Sequence, residues 1–149
     1  MAGSTFVYVT FIRTTVENIW SAFTEPAFIK KFWFDVDVET SWQVGAPWCI
    51  KFPDGRTADS GEIIEFDPPH RMVIKWRNEF MPDLTAEGYS LCVIEVEAVG
   101  EAAKLTVTHS STVENSKLIG AVSGGWPKIL SNLKSLIETG ELVLPNTPS

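Results

Sequence analysis

The segment from Leu118 to Gly140 constrains the fold of this chain more than any other part of it. Large apolar side chains recur there at spacings of three and four residues, which places them on one face of an α-helix. This apolar stripe consists of Leu118, Val122, Trp126, Ile129, Leu130, Leu133 and Ile137. Thr139-Gly140 ends the pattern, as is typical of a helix C-terminus. The segment therefore predicts one long amphipathic helix that covers a second apolar layer.

Two glycines and a proline interrupt this helix. Gly124 and Gly125 stand beside Trp126, and residues without side chains leave space next to a large ring. We therefore expect a hollow beneath the helix at this point. Pro127 has no backbone N–H to donate to the carbonyl of residue 123, so the helix should bend or begin again there.

Most of the chain before the helix has the β-branched and alternating composition of strands. After the first strand, a capping box at Thr14 and Glu17 predicts one short helix, and Thr24 with Pro26 predicts a second. The polar segment 78–88 predicts a long loop. The predicted strands are Thr5–Ile12, Val36–Glu39, Trp48–Phe52, Ser60–Phe66, Arg71–Arg77, Tyr89–Ala98 and Lys104–Thr112. This order predicts an α+β domain whose helices are segregated from a curved antiparallel sheet.

Length and charge narrow the class of protein. A chain of 149 residues is expected to form a single domain, here 1–149 with a core at about 5–140 and a loose tail at 145–149. The net charge of -7 disfavours binding to nucleic acids and to anionic membranes. We find no apolar run of membrane-spanning length and no signal peptide, so we expect a cytoplasmic location. Cys49 and Cys92 lie in strand-like runs and are expected to be reduced.

Five motifs, in order along the chain, resemble those of one superfamily. They are Ile19-Trp20 with Thr24-Glu25-Pro26; Gly45 through Trp48; Asp54-Gly55 followed by Gly61–Glu65 and Asp67-Pro68-Pro69; Leu105–Ser110; and Gly124-Gly125-Trp126 with Leu130 and Leu133. Together they resemble the START-like superfamily, also called SRPBCC or Bet v 1-like, over about residues 5–140. The similarity is to the branch named for homologues of the activator of heat shock protein 90 ATPase. Relatives commonly have Ala-Pro where this chain has Thr14-Thr15, and Ala46-Pro47 is a second departure.

The resemblance implies the helix-grip fold. In that fold a curved antiparallel β-sheet wraps around a long C-terminal α-helix, and two short helices follow the first strand. A single START-like domain is therefore expected. Relatives include ligand carriers, cyclases, hydrolases and co-chaperone domains, so the resemblance by itself leaves the function open.

Large rings are the main candidates for binding. Trp48, Trp76 and Trp126 share the apparent inward side of two strands and the helix, and an indole combines a broad apolar wall with one N–H donor. Phe32, Trp33, Phe80 and Met81 are expected near an entrance. The predicted ligand-binding set is Phe32, Trp33, Trp48, Trp76, Phe80, His109, Ser111, Val122, Trp126 and Leu130. Alternatively, these rings only fill the core, since burying one contributes roughly 2–3 kcal/mol.

His109 is the most reactive side chain on the apparent inner face. It alternates with Leu105 and Val107 on the last strand, so it could act as a base or bind a polar group of a ligand. The alternative is a core histidine with satisfied hydrogen bonds, and no partner residue stands at a recognisable spacing. We therefore assign no catalytic residue. The histidine and cysteine spacings predict neither a metal site nor a cofactor.

Three functions remain open. The first is binding of a small hydrophobic or aromatic molecule between the sheet and the last helix. The second is a small hydrolase, cyclase or dehydratase that uses the same hollow with His109 as base. The third is an interaction module that stimulates a chaperone ATPase, as the family name suggests, although the eukaryotic co-chaperones carry an additional domain. We favour the first, which makes the protein a binder and not an enzyme, and a homodimer is compatible with it.

Overall fold

The computed structural model describes residues 3–145 of the chain. In chain order, the elements of this part are β1 (Ser4–Ile12), α1 (Val16–Thr24), α2 (Pro26–Phe32), β2 (Asp37–Glu39), β3 (Pro47–Lys51), β4 (Thr57–Asp67), β5 (Arg71–Asn78), α3 (Pro82–Thr85), β6 (Ser90–Val99), β7 (Ala102–Ser111) and α4 (Lys117–Thr139). The predicted α+β helix-grip architecture is confirmed, with two short helices after β1 and one long C-terminal helix. Residues 146–149 of the predicted tail lie outside the described residues.

The strands form one antiparallel sheet in the order β1-β7-β6-β5-β4-β3-β2. Its register aligns side chains of one parity in rows across the concave face. One row pairs Trp48 with Gly61 and Gly61 with Trp76. The neighbouring row pairs Asp59 on β4 with Asn78 on β5. These two rows meet the long helix at one end of the sheet.

α4 packs its predicted apolar stripe against the concave face. Leu118, Trp126, Leu130 and Leu133 are each buried to 98% or more. The helix begins at Ser116, whose side chain accepts a hydrogen bond from the Ile119 amide. It ends at Gly140, which has a left-handed φ of 83°, a conformation that glycine adopts without steric cost.

The helix is continuous across Pro127, so the alternative of a second start at this proline is wrong. Proline removes a single backbone hydrogen bond. Trp126 and Ile129 are buried on either side of it, and their packing holds both turns in one helix. Among residues 3–145, no helix is both long and apolar enough to span a membrane.

The starts of the two short helices differ from the prediction. Thr15, and not Thr14, caps α1 by accepting a hydrogen bond from the Asn18 amide at 3.1 Å. The Thr24 hydroxyl donates to the Trp20 carbonyl instead of capping α2. Its bond therefore belongs to the last turn of α1, and α2 begins from Glu25 with no side-chain cap.

Cys49 and Cys92 are both free thiols, half-buried and buried respectively, as predicted. Burial raises the pKa of the Cys92 thiol well above its ordinary value. It therefore stays a protonated, small apolar side chain at neutral pH.

Gly61 lets two strands and two indoles approach closely. A Cβ at this position would lie 1.6 Å from the Lys75 carbonyl oxygen. The rings of Trp48 and Trp76, on the strands that flank Gly61, contact each other at a centroid distance of 4.6 Å. A glycine inside a strand marks such a close approach of backbones.

We expect Gly61→Ala to lower the free energy of unfolding by about 3 kcal/mol or more, because the methyl group overlaps backbone that cannot move away cheaply. Urea unfolding followed by tryptophan fluorescence measures the loss. Gly120→Ala is the control, since a Cβ at Gly120 meets open space, and alanine there should stabilise α4 by up to about 1 kcal/mol. Equal unfolding midpoints for Gly61→Ala and the parent would contradict the packing role of Gly61.

Candidate functional site

A pocket lies between the first half of α4 and the ends of β4 and β5. Its volume is about 230 Å³. Phe80 and Met81 are nearly half exposed at its rim, so the pocket opens to solvent beside the segment between β5 and α3. It is lined by Trp33, Asp59, Trp76, Asn78, Phe80, Met81, Leu84, Leu118, Ala121, Val122, Gly125, Trp126 and Ile129.

Three indoles form the inner wall of this pocket. Trp33 follows α2, Trp76 lies on β5 and Trp126 lies on α4. Their ring centroids are 6.2 Å apart for Trp33 and Trp76, 5.2 Å for Trp33 and Trp126, and 5.8 Å for Trp76 and Trp126. Each ring therefore contacts the other two, and the wall is fixed by three separate elements of the fold.

Asn78 fixes the rim of the pocket. Its side-chain oxygen accepts hydrogen bonds from the backbone amides of Phe80 at 3.1 Å and Met81 at 2.9 Å. Its backbone carbonyl accepts from the Thr85 hydroxyl at 2.7 Å. These bonds turn the chain sharply after β5, which brings Phe80 and Met81 over the pocket entrance.

Glu87 joins the same rim segment to the start of α4. Its carboxylate accepts hydrogen bonds from the Lys117 amide at 2.8 Å and from the Ser116 hydroxyl at 2.5 Å. A carboxylate at a helix N-terminus is stabilised by the unpaired amides and the helix dipole. The rim is thus bonded both to the sheet, through Asn78, and to the helix, through Glu87.

Asp59 is the only titratable side chain of the described residues that lines the pocket. The Trp76 indole N–H donates to its Oδ1 at 2.9 Å. Within residues 3–145, no donor bonds to its other oxygen and no basic group pairs with it. Burial raises the pKa of Asp59 to about 7, the Trp76 hydrogen bond opposes this rise, and the charge of Glu79 adds to it. Near neutral pH the carboxyl therefore exchanges between its neutral and ionised forms.

The Asn78 side chain is the second polar group of the pocket. It is 5% exposed, and its oxygen is occupied by the two rim amides. In the part of the chain that the structure describes, no acceptor bonds to its amide nitrogen. The pocket therefore offers one carboxyl oxygen and one amide N–H group without protein partners.

His109 lies behind the indole wall and does not line the pocket. Its Nδ1 accepts a hydrogen bond from the Trp126 indole N–H at 3.2 Å. Because the indole only donates, the neutral ring carries its proton on Nε2, which donates to Ser90 Oγ at 2.8 Å. Ser90 in turn donates to the Trp76 carbonyl at 2.9 Å. Burial lowers the pKa of His109 to about 4, so the ring is neutral at physiological pH.

Half of the predicted binding set lines the pocket. Trp33, Trp76, Phe80, Val122 and Trp126 do so. The other five lie elsewhere, and their part in binding stays a prediction. Four of them are buried in the core behind the indole wall: Phe32, Trp48, His109 and Leu130. Ser111 lines a separate surface cleft at the end of β7.

Asp59 and Asn78 were not among the predicted binding residues, although strand parity could have found them. Asp59 lies two residues before Gly61 and four before Ile63, so all three share the concave face of β4. The predicted strand begins only at Ser60, and the predicted loop includes Asn78. Both residues therefore fell outside the strands in which their orientation follows from alternation.

The described residues contain no cluster of three or more His, Cys, Asp or Glu side chains that could bind a metal ion. The site is an apolar, indole-walled pocket that contains the Asp59 carboxyl group and the Asn78 amide group. That combination suits recognition of a small molecule by burial and hydrogen bonding.

We expect Asp59→Asn to raise the free energy of unfolding at pH 8 by at most about 4 kcal/mol. The pKa of Asp59 in the folded protein, about 7, lies above its ordinary value of 3.8. The folded state therefore binds more protons than the unfolded state between these values, and stability falls as the pH rises through this range. Asparagine avoids the cost of the buried charge.

Denaturant unfolding at pH 8 and pH 4 checks this prediction. The gain should be present at pH 8 and nearly absent at pH 4, where Asp59 is neutral in the folded protein. Glu79→Gln is the control. The pKa of Glu79 is lowered by its hydrogen bond from Arg77, so removal of this charge should give no gain in stability at pH 8. An equal gain for Asp59→Asn at both pH values would contradict the raised pKa.

Comparison with known proteins gives the family. Solved structures with the same fold include CalU16 from Micromonospora echinospora (21% identity, TM-score 0.74, 93% of this chain and 78% of that chain). They also include the Aha1 dimer from Colwellia psychrerythraea (19% identity, TM-score 0.74, 92% of this chain and 98% of that chain). A third is an Hsp90 activator from Plasmodium falciparum (22% identity, TM-score 0.74, 93% of this chain and 98% of that chain). No match is found among curated protein sequences. The family model described as activator of Hsp90 ATPase homolog 1-like protein matches residues 13–138, and the chain therefore belongs to this family.

Proposed function

We propose that this domain binds a small, largely apolar molecule in the pocket beneath α4. The observation that supports the proposal is the pocket itself, whose walls are indoles and aliphatic side chains. Its polar groups, Asp59 and Asn78, each have one atom without a hydrogen-bond partner among residues 3–145. Apolar walls with a few polar groups are typical of small-molecule sites. Burial of the ligand would provide affinity, and the two polar groups would orient it.

The volume limits the size of the ligand. About 230 Å³ is larger than the ~150 Å³ of an engineered cavity that binds benzene and smaller than the ~300–1,000 Å³ of sites for drug-sized molecules. A ligand of one or two rings fits this range. Burying ~150 Å² of apolar ligand surface contributes roughly 4 kcal/mol, which corresponds to weak binding unless the polar groups add to it.

The enzyme alternative lacks support from His109. Both ring nitrogens are hydrogen-bonded within the protein, to Trp126 and to Ser90. A general base needs a free lone pair within reach of the substrate. In this arrangement the imidazole orients Trp126, and through it one wall of the pocket, so we propose a structural role for it.

We expect propylbenzene to bind in the pocket and Gly125→Leu to weaken this binding. Gly125 lines the pocket, whereas its neighbour Gly124 is exposed on the same helix. A Cβ at either position meets open space, and both substitutions gain similar helix propensity. Gly125→Leu should therefore weaken propylbenzene binding at least about tenfold, while Gly124→Leu leaves it unchanged.

Propylbenzene is titrated into the protein, and the indole N–H resonances are followed by NMR. These signals report binding because three of the side chains that line the pocket are tryptophans. Shifts confined to the Trp33, Trp76 and Trp126 signals are the expected result. Equal affinities for the two leucine variants would place the ligand elsewhere. The absence of shifts with every small one-ring probe at saturation, propylbenzene included, would refute the proposed function.

A protein partner is a second proposal. Relatives of the same fold include one described as a dimer and one described as an Hsp90 activator. On this chain, β1 is an edge strand whose outer face exposes Val7, Val9 and Phe11 by about half. We propose that this face supports a homodimer or contacts a chaperone in the cytoplasm, where the two free thiols stay reduced.

Phe11→Lys should convert such a dimer to a monomer, because it places a charge in an apolar contact. Light scattering after size-exclusion chromatography measures the mass, with the exposed Val143→Lys as control. A monomeric parent protein at high concentration would exclude the homodimer. A pull-down and an ATPase assay with the cognate chaperone test the other partner.

A further inference from the structure

We propose that the natural ligand is an amine whose protonated nitrogen pairs with the Asp59 carboxylate while its apolar part occupies the indole-walled pocket. This inference rests on the proposed function and adds the chemical class of the ligand. It follows from three features of the pocket: a half-buried carboxyl with no cation paired to it among residues 3–145, the arrangement of the indoles, and the charges of the surrounding elements.

Among residues 3–145, the Asp59 carboxyl has no counter-ion. The basic side chains next to its register partners are Lys51 and Arg77, which pair with Glu39 at 3.3 Å and with Glu79 at 2.7 Å. In the same part of the chain, the only side-chain hydrogen bond to Asp59 comes from the neutral indole of Trp76. A buried carboxylate without a cation is costly. A ligand ammonium group would supply both the opposite charge and the missing hydrogen bond to the second oxygen.

The indole wall favours a cation as well. Trp76 bonds to Asp59 through its N–H edge, and Trp126 bonds to His109 through its own, while both rings and that of Trp33 line the pocket. The face of an indole attracts a cation within about 6 Å of the ring, and the attraction grows when the cation is desolvated. A carboxylate beside several indoles therefore discriminates in favour of an ammonium group over a neutral group of equal size.

Among the described residues, no basic side chain lines the pocket. α4 contributes Leu118, Ala121, Val122, Gly125, Trp126 and Ile129 to the lining, and α3 contributes Leu84. None of these side chains is charged. Among the described residues, the charge that acts on Asp59 is that of Glu79, which is negative, whereas His109, which contacts the Trp76 ring, is neutral. The whole chain, with a net charge of -7, also attracts cations over longer distances.

The pairing makes binding depend on pH. Asp59, with a pKa of about 7, is mostly ionised at pH 8 and mostly neutral at pH 5. A primary alkyl ammonium group, like that of Lys, stays charged across this range. Between pH 5 and pH 8, His109 stays neutral and Glu79 stays negative. The change in affinity over this range therefore reports the ionisation of Asp59. Binding near pH 6 should release a proton from this carboxyl.

Three probes of nearly the same shape test the inference: phenethylamine, propylbenzene and 3-phenylpropionate, which end in a cationic, a neutral and an anionic group. At pH 8 we expect phenethylamine to bind at least about tenfold more tightly than propylbenzene, and 3-phenylpropionate to bind most weakly. Calorimetric titration in two buffers of different ionisation enthalpy measures affinity and proton release together. At pH 5 the preference for phenethylamine should fall at least about tenfold.

Asp59→Asn should abolish the preference for phenethylamine over propylbenzene. Glu79→Gln removes the same charge from outside the pocket and should keep the preference. If wild-type protein binds propylbenzene as tightly as phenethylamine at pH 8, or if Asp59→Asn keeps the preference, the amine inference is overturned and the proposed function stands. If none of the three probes binds, both are overturned. The pH series on the wild-type protein decides the matter without any variant.

Discussion

Two indole N–H groups orient the buried polar side chains on which the site depends. Trp76 donates to Asp59 and Trp126 donates to His109. Each bond fixes a ring as well as its partner, because an indole has a single donor at one edge of a rigid plane. The imidazole also contacts the Trp76 ring edge-on at a centroid distance of 5.1 Å. The pocket wall and the state of both titratable groups are therefore parts of one arrangement.

This arrangement also shifts the proton binding of Asp59 and His109 in opposite directions when the protein folds. Between pH 4 and pH 6.5 the folded protein holds a proton on Asp59 that the unfolded chain has largely released, since the pKa is raised to about 7. Over the same range it excludes a proton from His109 that the unfolded chain binds, since that pKa is lowered to about 4 from 6.5. The two differences have opposite signs in the linkage relation. Their contributions to the pH dependence of stability therefore nearly cancel.

The sequence predicts the architecture far better than the site. The period of α4, the alternation of β5 and β7 and the glycine at the helix end each depend on neighbours in the chain, so they can be read directly. The pocket depends on register: Asp59 meets Asn78 only because β4 and β5 pair as they do. Likewise, His109 is a core residue and not a pocket residue because Trp126 lies between it and the space. No spacing within the sequence encodes that order of layers.

The position of the pocket along α4 follows from the sizes of its side chains. The first half of the helix contributes the small or medium side chains of Ala121, Val122 and Gly125 to the lining, between the larger Leu118 and Trp126. The second half presents Leu130 and Leu133, both buried in the core. Large side chains fill the concave face where they occur, whereas small ones leave space that other residues cannot enter without losing their own packing. The paired glycines therefore matter unequally: Gly124 is exposed to solvent, whereas Gly125 lines the pocket beside Trp126, where a larger side chain would occupy the space.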